Sequence, residues 1–256
     1  MPTPLTPAQL TRDLAVRDLT DPAAGPHAIQ LVVERAVSAV ARTGTDVRRW
    51  PGDRIVTIAD NYDHLGYHPD DITRDARYTR YVDAHHVLRS HSSAMIPAAL
   101  RALEARPADD VLLVCPGVVY RRDSIDRLHS GTPHQLDLWR ITRGTTDKAD
   151  LEHLVENLVG TLLPGRPWRL EPRRHPYTVD GGQLDVHTGT EWVEVAECGL
   201  AHPDVLARAG LGDGWSGLAL GMGLDRMLML LKGIPDIRLL RSADPAVAAQ
   251  LGDLAP

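Results

Sequence analysis

The stretch from Val111 to Ile141 contains the polar side chains best suited to binding a charged ligand. It reads VLLVCPGVVYRRDSIDRLHSGTPHQLDLWRI, which predicts two antiparallel strands joined by a polar loop of roughly ten residues. Because side chains alternate along a strand, Gln135 and Asp137 share one face, and so do Arg121 and Asp123. Burying such groups on an apolar sheet is costly unless a ligand binds them. The alternative is a solvated hairpin face with its own ion pairs.

The composition is that of an ordinary globular protein. The chain has 256 residues, 43% hydrophobic and 24% charged, which predicts one large domain, here residues 27–256, preceded by an N-terminal arm over residues 1–26. The net charge of −6 provides no global positive field for nucleic acid. Two cysteines without CxxC spacing indicate neither a disulfide framework nor a zinc site. With no signal pattern and no apolar run of membrane length, we expect a cytoplasmic protein without membrane contact.

The elements around the hairpin predict an α+β fold built on a mainly antiparallel sheet flanked by helices. An amphipathic helix begins at His27, with Ile29, Val32, Val33 and Val37 at helical spacing, and ends near residue 44. The other predicted helices cover 8–19, 94–105, 151–163, 202–209 and 224–232, and the other predicted strands cover 47–51, 54–59, 168–177, 183–187, 191–198 and 217–223.

Three segments resemble the signature motifs of class II aminoacyl-tRNA synthetases, and in particular the catalytic core of the phenylalanyl-tRNA synthetase α chain. The helix from His27, with Gly44, Val47 and Pro51 after it, resembles motif 1, which forms dimers. The hairpin resembles motif 2, and residues 217–226, GLALGMGLDR, resemble motif 3. Residues 88–93 (LRSHSS), 174–186 (RHPYTVDGGQLDV) and 191–206 (EWVEVAECGLAHPDVL) resemble further family segments, so the resemblance runs in order from about 27 to 240.

The resemblance implies a class II synthetase fold and a site for ATP and Mg²⁺. Two arginines, Arg121 and Arg226, would be the catalytic groups that neutralise phosphate charge, because a guanidinium grips pairs of oxygens and stays ionised. The implied ATP-binding residues are Arg121, Asp123, His129, Pro133 and Arg226, and the implied metal ligand is Glu194. Alternatively, His129 is an ordinary loop histidine, Glu194 lies on a solvated strand face, and Arg226 pairs with Asp225 or Asp236.

The resemblance also implies an amino-acid pocket. Its residues would be His91, Ser93, Gln135, Asp137, His175, Tyr177, Cys198 and Ala219. Gln135 and Asp137 would hold the ammonium group. His175 and Tyr177 stand where the family has two phenylalanines, so an aromatic or aromatic-like amino acid that includes polar rings is expected.

The function implied is ATP-dependent adenylation of an amino acid, with transfer to tRNA, a carrier protein or a small molecule. One alternative is a catalytically silent paralogue that binds an amino acid or regulates a partner. Another is a pathway enzyme that does not adenylate, suggested by Val118, Pro133 and Val179, where the family has other residues. Motif 1 predicts a homodimer, because its helix and strand would bury an apolar stripe against a second copy.

Overall fold

The computed structural model describes residues 3–106, 108–122 and 125–254. The strands are β1 (Asp46–Arg49), β2 (Ile55–Thr57), β3 (Arg80–Tyr81), β4 (His86–Leu88), β5 (Asp110–Val118), β6 (His134–Arg143), β7 (Trp168–Pro172), β8 (Thr178–His187), β9 (Trp192–Ala201) and β10 (Trp215–Gly223). The α-helices are α1 (Pro7–Leu14), α2 (Ala28–Val40), α3 (Ile58–Asn61), α4 (Ile96–Arg101), α5 (Lys148–Leu162), α6 (Pro203–Arg208), α7 (Leu224–Lys232) and α8 (Pro245–Gln250). Short 3-10 helices cover Pro22–Ala24, Asp63–Leu65, Ile72–Arg74, Ser92–Met95 and Ile237–Arg241.

Seven strands form the main sheet in the order β1-β5-β6-β10-β9-β8-β7. Only the β1–β5 pair within this described sheet is parallel, and its other neighbours run antiparallel. A small sheet has the order β2-β4-β3. The predicted α+β class with a mainly antiparallel sheet is therefore confirmed.

The two faces of the main sheet carry separate apolar cores. On one face α2, α5 and α7 pack against Leu138 and Leu220. On the other face α4 and α6 pack against Trp139 and Ala219. The alternation predicted for the second hairpin strand is thus observed, with Leu138 and Trp139 on opposite faces.

Helix α2 has the apolar stripe that its sequence predicts, but the stripe lies inside this chain. Its buried residues are Ala28, Ile29, Val32, Val33, Ala36, Val37 and Val40. They belong to the same core as the buried faces of α5 and α7. The expectation that this stripe is buried against a second copy is therefore wrong, because the chain's own helices cover it.

The N-terminal segment is fastened to the sheet by side chains after α1. The helix predicted to reach residue 19 ends at Leu14, and the chain then turns. The carboxylate of Asp18 accepts hydrogen bonds from the backbone N–H of Val118 at 3.0 Å and of Thr20 at 3.0 Å. The next residue, Leu19, is fully buried in the core that contains α2.

Several predicted strands have different bounds in the structure; the strand expected over 168–177, for example, ends at Pro172. The strand expected over 54–59 ends at Thr57, whose Oγ1 accepts a hydrogen bond from the N–H of Asp60 at 3.0 Å and so begins α3. The strand expected to begin at residue 183 begins at Thr178, with a register shift between Val179 and Gly182 that interrupts its alternation. None of the described helices is long and apolar enough to cross a membrane.

Candidate active site

The β5–β6 hairpin continues beyond its two strands and positions Arg121. The Val119 N–H donates to the Pro133 carbonyl at 2.8 Å, and the Arg121 N–H donates to the Gly131 carbonyl at 2.9 Å. The pairing thus reaches Arg121 and Gly131, which leaves residues 122–130 as the connection, close to the roughly ten residues predicted. The Nε of Arg121 donates to the Ser90 carbonyl at 3.1 Å, and the described part of the chain offers no hydrogen-bond acceptor to its terminal nitrogens.

Arg80 clamps the base of this loop. Its Nη2 donates to the carbonyl oxygens of Arg121 at 2.7 Å and Gly131 at 2.9 Å. Its Nη1 forms an ion pair of 2.9 Å with Asp13 in α1, and both side chains are largely buried. The N-terminal helix therefore fixes the backbone that carries Arg121.

A cavity lies on the sheet face beside this loop, across β6, β10 and β9. About 180 Å³ of space outside protein atoms lies among its lining side chains, and none of it is wide enough for a water molecule. Its lining residues are Asp137, Trp139, His175, Tyr177, Thr178, Glu197, Cys198, Ala219, Leu220 and Gly221. These side chains therefore pack closely, and a bound ligand would have to move them apart.

Two carboxylates flank a glycine on neighbouring strands of the cavity floor. Gly221 is paired with Asp137 on one side and with Glu197 on the other. A Cβ added at Gly221 would meet the Asp137 Oδ2 at 3.5 Å, so any longer side chain would fill the space between the carboxylates. The glycine thus keeps this part of the cavity open.

Asp137 is a buried acid with a raised pKa. Burial raises its pKa from 3.8 to about 6, although hydrogen bonds from Ser92, Trp139 and Ser93 oppose the shift. The Ser92 hydroxyl donates to Oδ2, and the Trp139 Nε1 donates to Oδ1 at 3.0 Å. The charge of Glu197 also contributes to the rise. A cationic group placed beside Asp137 would relieve this penalty.

Aromatic rings form the wall of the cavity. The rings of His175 and Tyr177 are stacked with centroids 5.5 Å apart, and Trp139 lies 6.1 Å from Tyr177. Tyr67 stands 6.2 Å from Tyr177 and 5.6 Å from His91. Burial and the charge of Arg121 lower the pKa of His91 to about 3, so this imidazole is neutral at physiological pH.

The other predicted amino-acid residues lie close by. The Ser92 N–H donates to the Gln135 Oε1 at 3.1 Å, which places Gln135 beside the Asp137 group. Ser93 contributes side-chain hydrogen bonds that act on both Asp137 and Tyr177. Ala219 lines the cavity. Cys198 also borders the cavity, although its side chain belongs to the apolar core on the opposite face of the sheet. Burial raises the pKa of its thiol to about 12.

Arg226 lies after β10, at the end of the sheet where β5 also ends. Its Nη1 donates to the Glu194 carbonyl at 3.2 Å and lies 3.9 Å from the Glu194 carboxylate. The two carboxylates considered as alternative ion-pair partners of Arg226 have other partners. Asp225 accepts a hydrogen bond from the His134 N–H and pairs with the His134 ring at 3.2 Å. Asp236 pairs with Arg238. Asp225 therefore anchors the start of α7 to the hairpin and leaves Arg226 directed toward β9.

The remaining predicted nucleotide residues lie on or near the loop. His129 is half exposed and pairs with Asp126 at 2.9 Å, a contact within the loop itself. The Pro133 carbonyl takes part in the hairpin extension. Asp123 lies outside the described residues.

The chain is similar to known proteins over most of its length. The chain matches the family model for "tRNA synthetases class II core domain (F)" over residues 12–251. The chain belongs to the class II tRNA synthetase core family. It is 34% identical over 233 residues to the phenylalanine–tRNA ligase alpha subunit of Prochlorococcus marinus (strain MIT 9313), which covers 89% of this chain and 68% of that subunit. It is 32% identical to the corresponding subunit of Acinetobacter baumannii (strain AYE), over 94% of this chain and 74% of that subunit.

A solved structure shows the same fold. The pyrrolysyl tRNA synthetase PylSc of Desulfitobacterium hafniense superposes with a TM-score of 0.62 at 20% identity, over 92% of this chain and 79% of that one. The predicted family resemblance and the predicted fold of this class II synthetase core are both confirmed.

Glu194, the predicted metal ligand, has an exposed carboxylate near Arg226. The described residues contain no group of three His, Cys, Asp or Glu side chains that could hold a metal by themselves. Mg²⁺ commonly uses one or two carboxylates together with substrate phosphates. Glu194 fits that mode, because its side chain is 43% exposed and its Oε2 lies 3.9 Å from the Nη1 of Arg226.

Glu197 also lines the cavity, but it was not predicted from the sequence. Its carboxylate lies 2.9 Å from the His175 Nε2 and 3.7 Å from the Arg173 Nε. Burial raises the pKa of Glu197, but the hydrogen bond and charge of His175 and the charges of Arg173 and Arg121 outweigh it and lower the pKa overall. On a regular strand the spacing of three from Glu194 would place the two carboxylates on opposite faces, so alternation gave no signal for Glu197. The register shift between Leu184 and Asp185 breaks that alternation.

Proposed function

We propose that this protein is a ligase that activates an amino acid with ATP, forming an aminoacyl-adenylate. The amino acid would have an aromatic or aromatic-like side chain, and the aminoacyl group would pass to tRNA, a carrier protein or a small molecule. The observation that carries the proposal is the buried Asp137 carboxylate of the small cavity, together with Arg121, whose charge acts on the cavity residue Glu197 and on His91. Asp137 and Arg121 are complementary to the ammonium and the carboxylate of an amino acid.

Binding of the amino acid rests on the cavity. Asp137 would hold the ammonium, with Gln135 and Ser93 beside it, because a buried carboxylate is the natural partner of a desolvated cation. Tyr177 and Trp139 would contact the side chain, and Ala219 provides a small floor residue. The ring stacking between His175 and Tyr177 supports an aromatic occupant.

Activation rests on Arg121 and Arg226. In amino-acid activation a carboxylate oxygen attacks the α-phosphorus of ATP, and the bond from that phosphorus to the pyrophosphate oxygen breaks. Arg121 is suited to hold the attacking carboxylate and the α-phosphate, because its terminal nitrogens are available and its backbone is clamped by Arg80. Arg226 would bind the outer phosphates. A magnesium ion bound at Glu194 would supply further neutralisation of phosphate charge.

The test is ATP–pyrophosphate exchange with folded, full-length protein and each of the amino acids in turn. We expect exchange with at least one aromatic amino acid. Arg121→Lys keeps the charge but removes the planar fork, and we expect it to lower exchange by about 100-fold or more. Arg122→Lys, the same change at the exposed neighbouring residue, is the matched control and should exchange at a rate close to wild type.

Two outcomes would contradict the proposal. Exchange with no amino acid, together with amino-acid binding by calorimetry in the absence of ATP, would favour the silent paralogue. Full exchange by the Arg121→Lys variant would show that the guanidinium does not act on the reacting groups.

A further inference from the structure

Besides Asp137, the cavity contains a second carboxylate, that of Glu197. An α-amino acid with a hydrocarbon ring would offer this carboxylate no hydrogen bond. Asp137 on β6 and Glu197 on β9 lie on opposite sides of Gly221 in β10, and all three line the cavity. Two strand spacings of about 4.8 Å each separate the backbones of β6 and β9. One ammonium group at Asp137 therefore does not satisfy the carboxylate at Glu197.

Glu197 is held in place as an ionised acceptor. His175 approaches one carboxylate oxygen, Oε2, at 2.9 Å, and Arg173 lies 3.7 Å from the other, Oε1. His175 and Arg173 both lie in the segment between β7 and β8, which crosses over β9 close to Gly199. A Cβ at Gly199 would meet the Thr178 Cβ at 2.7 Å, so this close approach requires glycine. Arg173 and His175, of which His175 also lines the cavity, thus orient the carboxylate.

The walls beside Glu197 are aromatic and apolar, which fits a ring. The rings of Tyr177 and Trp139 line the cavity, and the small residues Ala219 and Gly221 take up little space beside them. A ring that carries a hydroxyl or amino group could fill the space and donate to Glu197. A plain hydrocarbon ring would displace water from this carboxylate and would offer no hydrogen bond in place of the one lost.

We propose that Glu197 is a specificity-determining residue, and that the preferred substrate is an aromatic amino acid whose ring carries a hydrogen-bond donor, such as a hydroxyl or amino group. The proposal rests on the proposed function for the location of the amino acid. It assigns Asp137 to the ammonium and Glu197 to the ring substituent.

The experiment measures binding by calorimetry without ATP, so that it does not depend on adenylation. The ligands are phenylalanine, tyrosine, 3-hydroxyphenylalanine, 4-aminophenylalanine and leucine, each with wild-type protein and with Glu197→Gln, Glu197→Ala and Asp137→Asn. Glu191→Gln, the same chemical change at an exposed residue before β9, is the matched control. Thermal unfolding checks that each variant is folded.

We expect wild type and the control to bind at least one hydroxyl- or amino-substituted ring about 10-fold or more tightly than phenylalanine, the range for a hydrogen bond to a charged group. Both Glu197 variants should reduce this preference to a few-fold while binding phenylalanine about as wild type does. The Asp137→Asn variant should weaken binding of every ligand.

The proposal is overturned if phenylalanine binds as tightly as the substituted rings, or if both Glu197 variants weaken all ligands equally, which would make Glu197 the ammonium partner. Failure of the two proposals is distinguishable. Selective binding without ATP–pyrophosphate exchange would contradict adenylation and support the role of Glu197. Exchange that is as fast with phenylalanine as with the substituted rings would support adenylation and overturn the role of Glu197.

Discussion

The ionisation of Asp137 links substrate binding to the stability of the fold. Its pKa is raised from 3.8 to about 6, chiefly by burial. Below about pH 4 the carboxyl is protonated in both the folded and the unfolded chain. As the pH rises from about 4 to about 6, the unfolded chain ionises first, so the free energy of unfolding falls. Above pH 6 the folded protein carries the full cost of a buried charge, which a bound ammonium would offset.

We therefore expect Asp137→Asn to stabilise the unliganded protein at neutral pH by an amount on the order of 3 kcal/mol, the energy equivalent of such a pKa shift. The gain should vanish near pH 4. Urea unfolding of wild type and variant at pH 4 and pH 7 measures both differences. A variant less stable than wild type at both values would contradict this account.

Asp110→Asn is a control of opposite sign. The Arg140 side chain donates two hydrogen bonds to Asp110, at 2.9 and 2.6 Å, and lowers its pKa. A carboxylate with a lowered pKa stabilises the fold above its unfolded pKa, and this stabilisation is lost as the pH falls through the folded pKa. The variant should therefore be less stable than wild type at pH 7.

At the residue scale, sequence patterns found the cavity residues that lie on regular strands. Period-two alternation on β6 placed Asp137 on the correct face, and the family resemblance located His175, Tyr177 and Ala219 near it. Glu197 was not found, because β9 pairs with β8 across an irregularity between Leu184 and Asp185 and no local pattern shows which strand neighbour faces the ligand. The clamp by Arg80 depends on contacts between segments far apart in sequence.

At the element scale, α1 acts on the site through one ion pair. Asp13 in α1 holds Arg80, and Arg80 holds the carbonyls of Arg121 and Gly131. The sequence predicted a helix here but gave no sign that it braces the hairpin, because α2, β1, β2 and α3 separate Asp13 from Arg80 along the chain. The ends of other elements were misplaced where a side chain caps the backbone, as Thr57 does for α3.

We expect Asp13→Asn to cost about 1–3 kcal/mol of stability, because it leaves the largely buried Arg80 guanidinium without its ionic partner. It should also lower the kcat of exchange more than it changes amino-acid affinity, since Arg121 would be less well positioned while the cavity is intact. Asp213→Asn, the same chemical change at an exposed residue before β10, is the matched control. Equal kcat in the two variants would contradict the brace.

At the scale of the whole molecule, the apolar stripe predicted to face a second copy is not available for self-association. The apolar stripe of α2 is internal, so a homodimer would have to use what remains exposed near it. Leu31 on α2 is 40% exposed and Val47 on β1 is 38% exposed. The 2.6 Å pair between Glu34 and Arg49 joins this helix to β1, which is an edge strand of the sheet.

If the protein is a homodimer through this face, sedimentation equilibrium at micromolar concentration should give twice the 28.0 kDa chain mass. Leu31→Glu should then yield monomers, because it places a charge in an apolar contact. Ile72→Glu makes the same kind of change at a side chain 62% exposed on a separate loop and should stay dimeric. A wild-type protein that sediments as a monomer would refute the homodimer.

The strand order has a consequence for synthesis on the ribosome. The middle of the main sheet is β10, which is the last of the seven strands to be translated. Until it has left the exit tunnel, the hydrogen-bonding edges of β6 and β9 have no permanent neighbour. The nascent chain therefore emerges as two incomplete half-sheets that are prone to pair wrongly, and a chaperone that shields them would raise the yield of native protein.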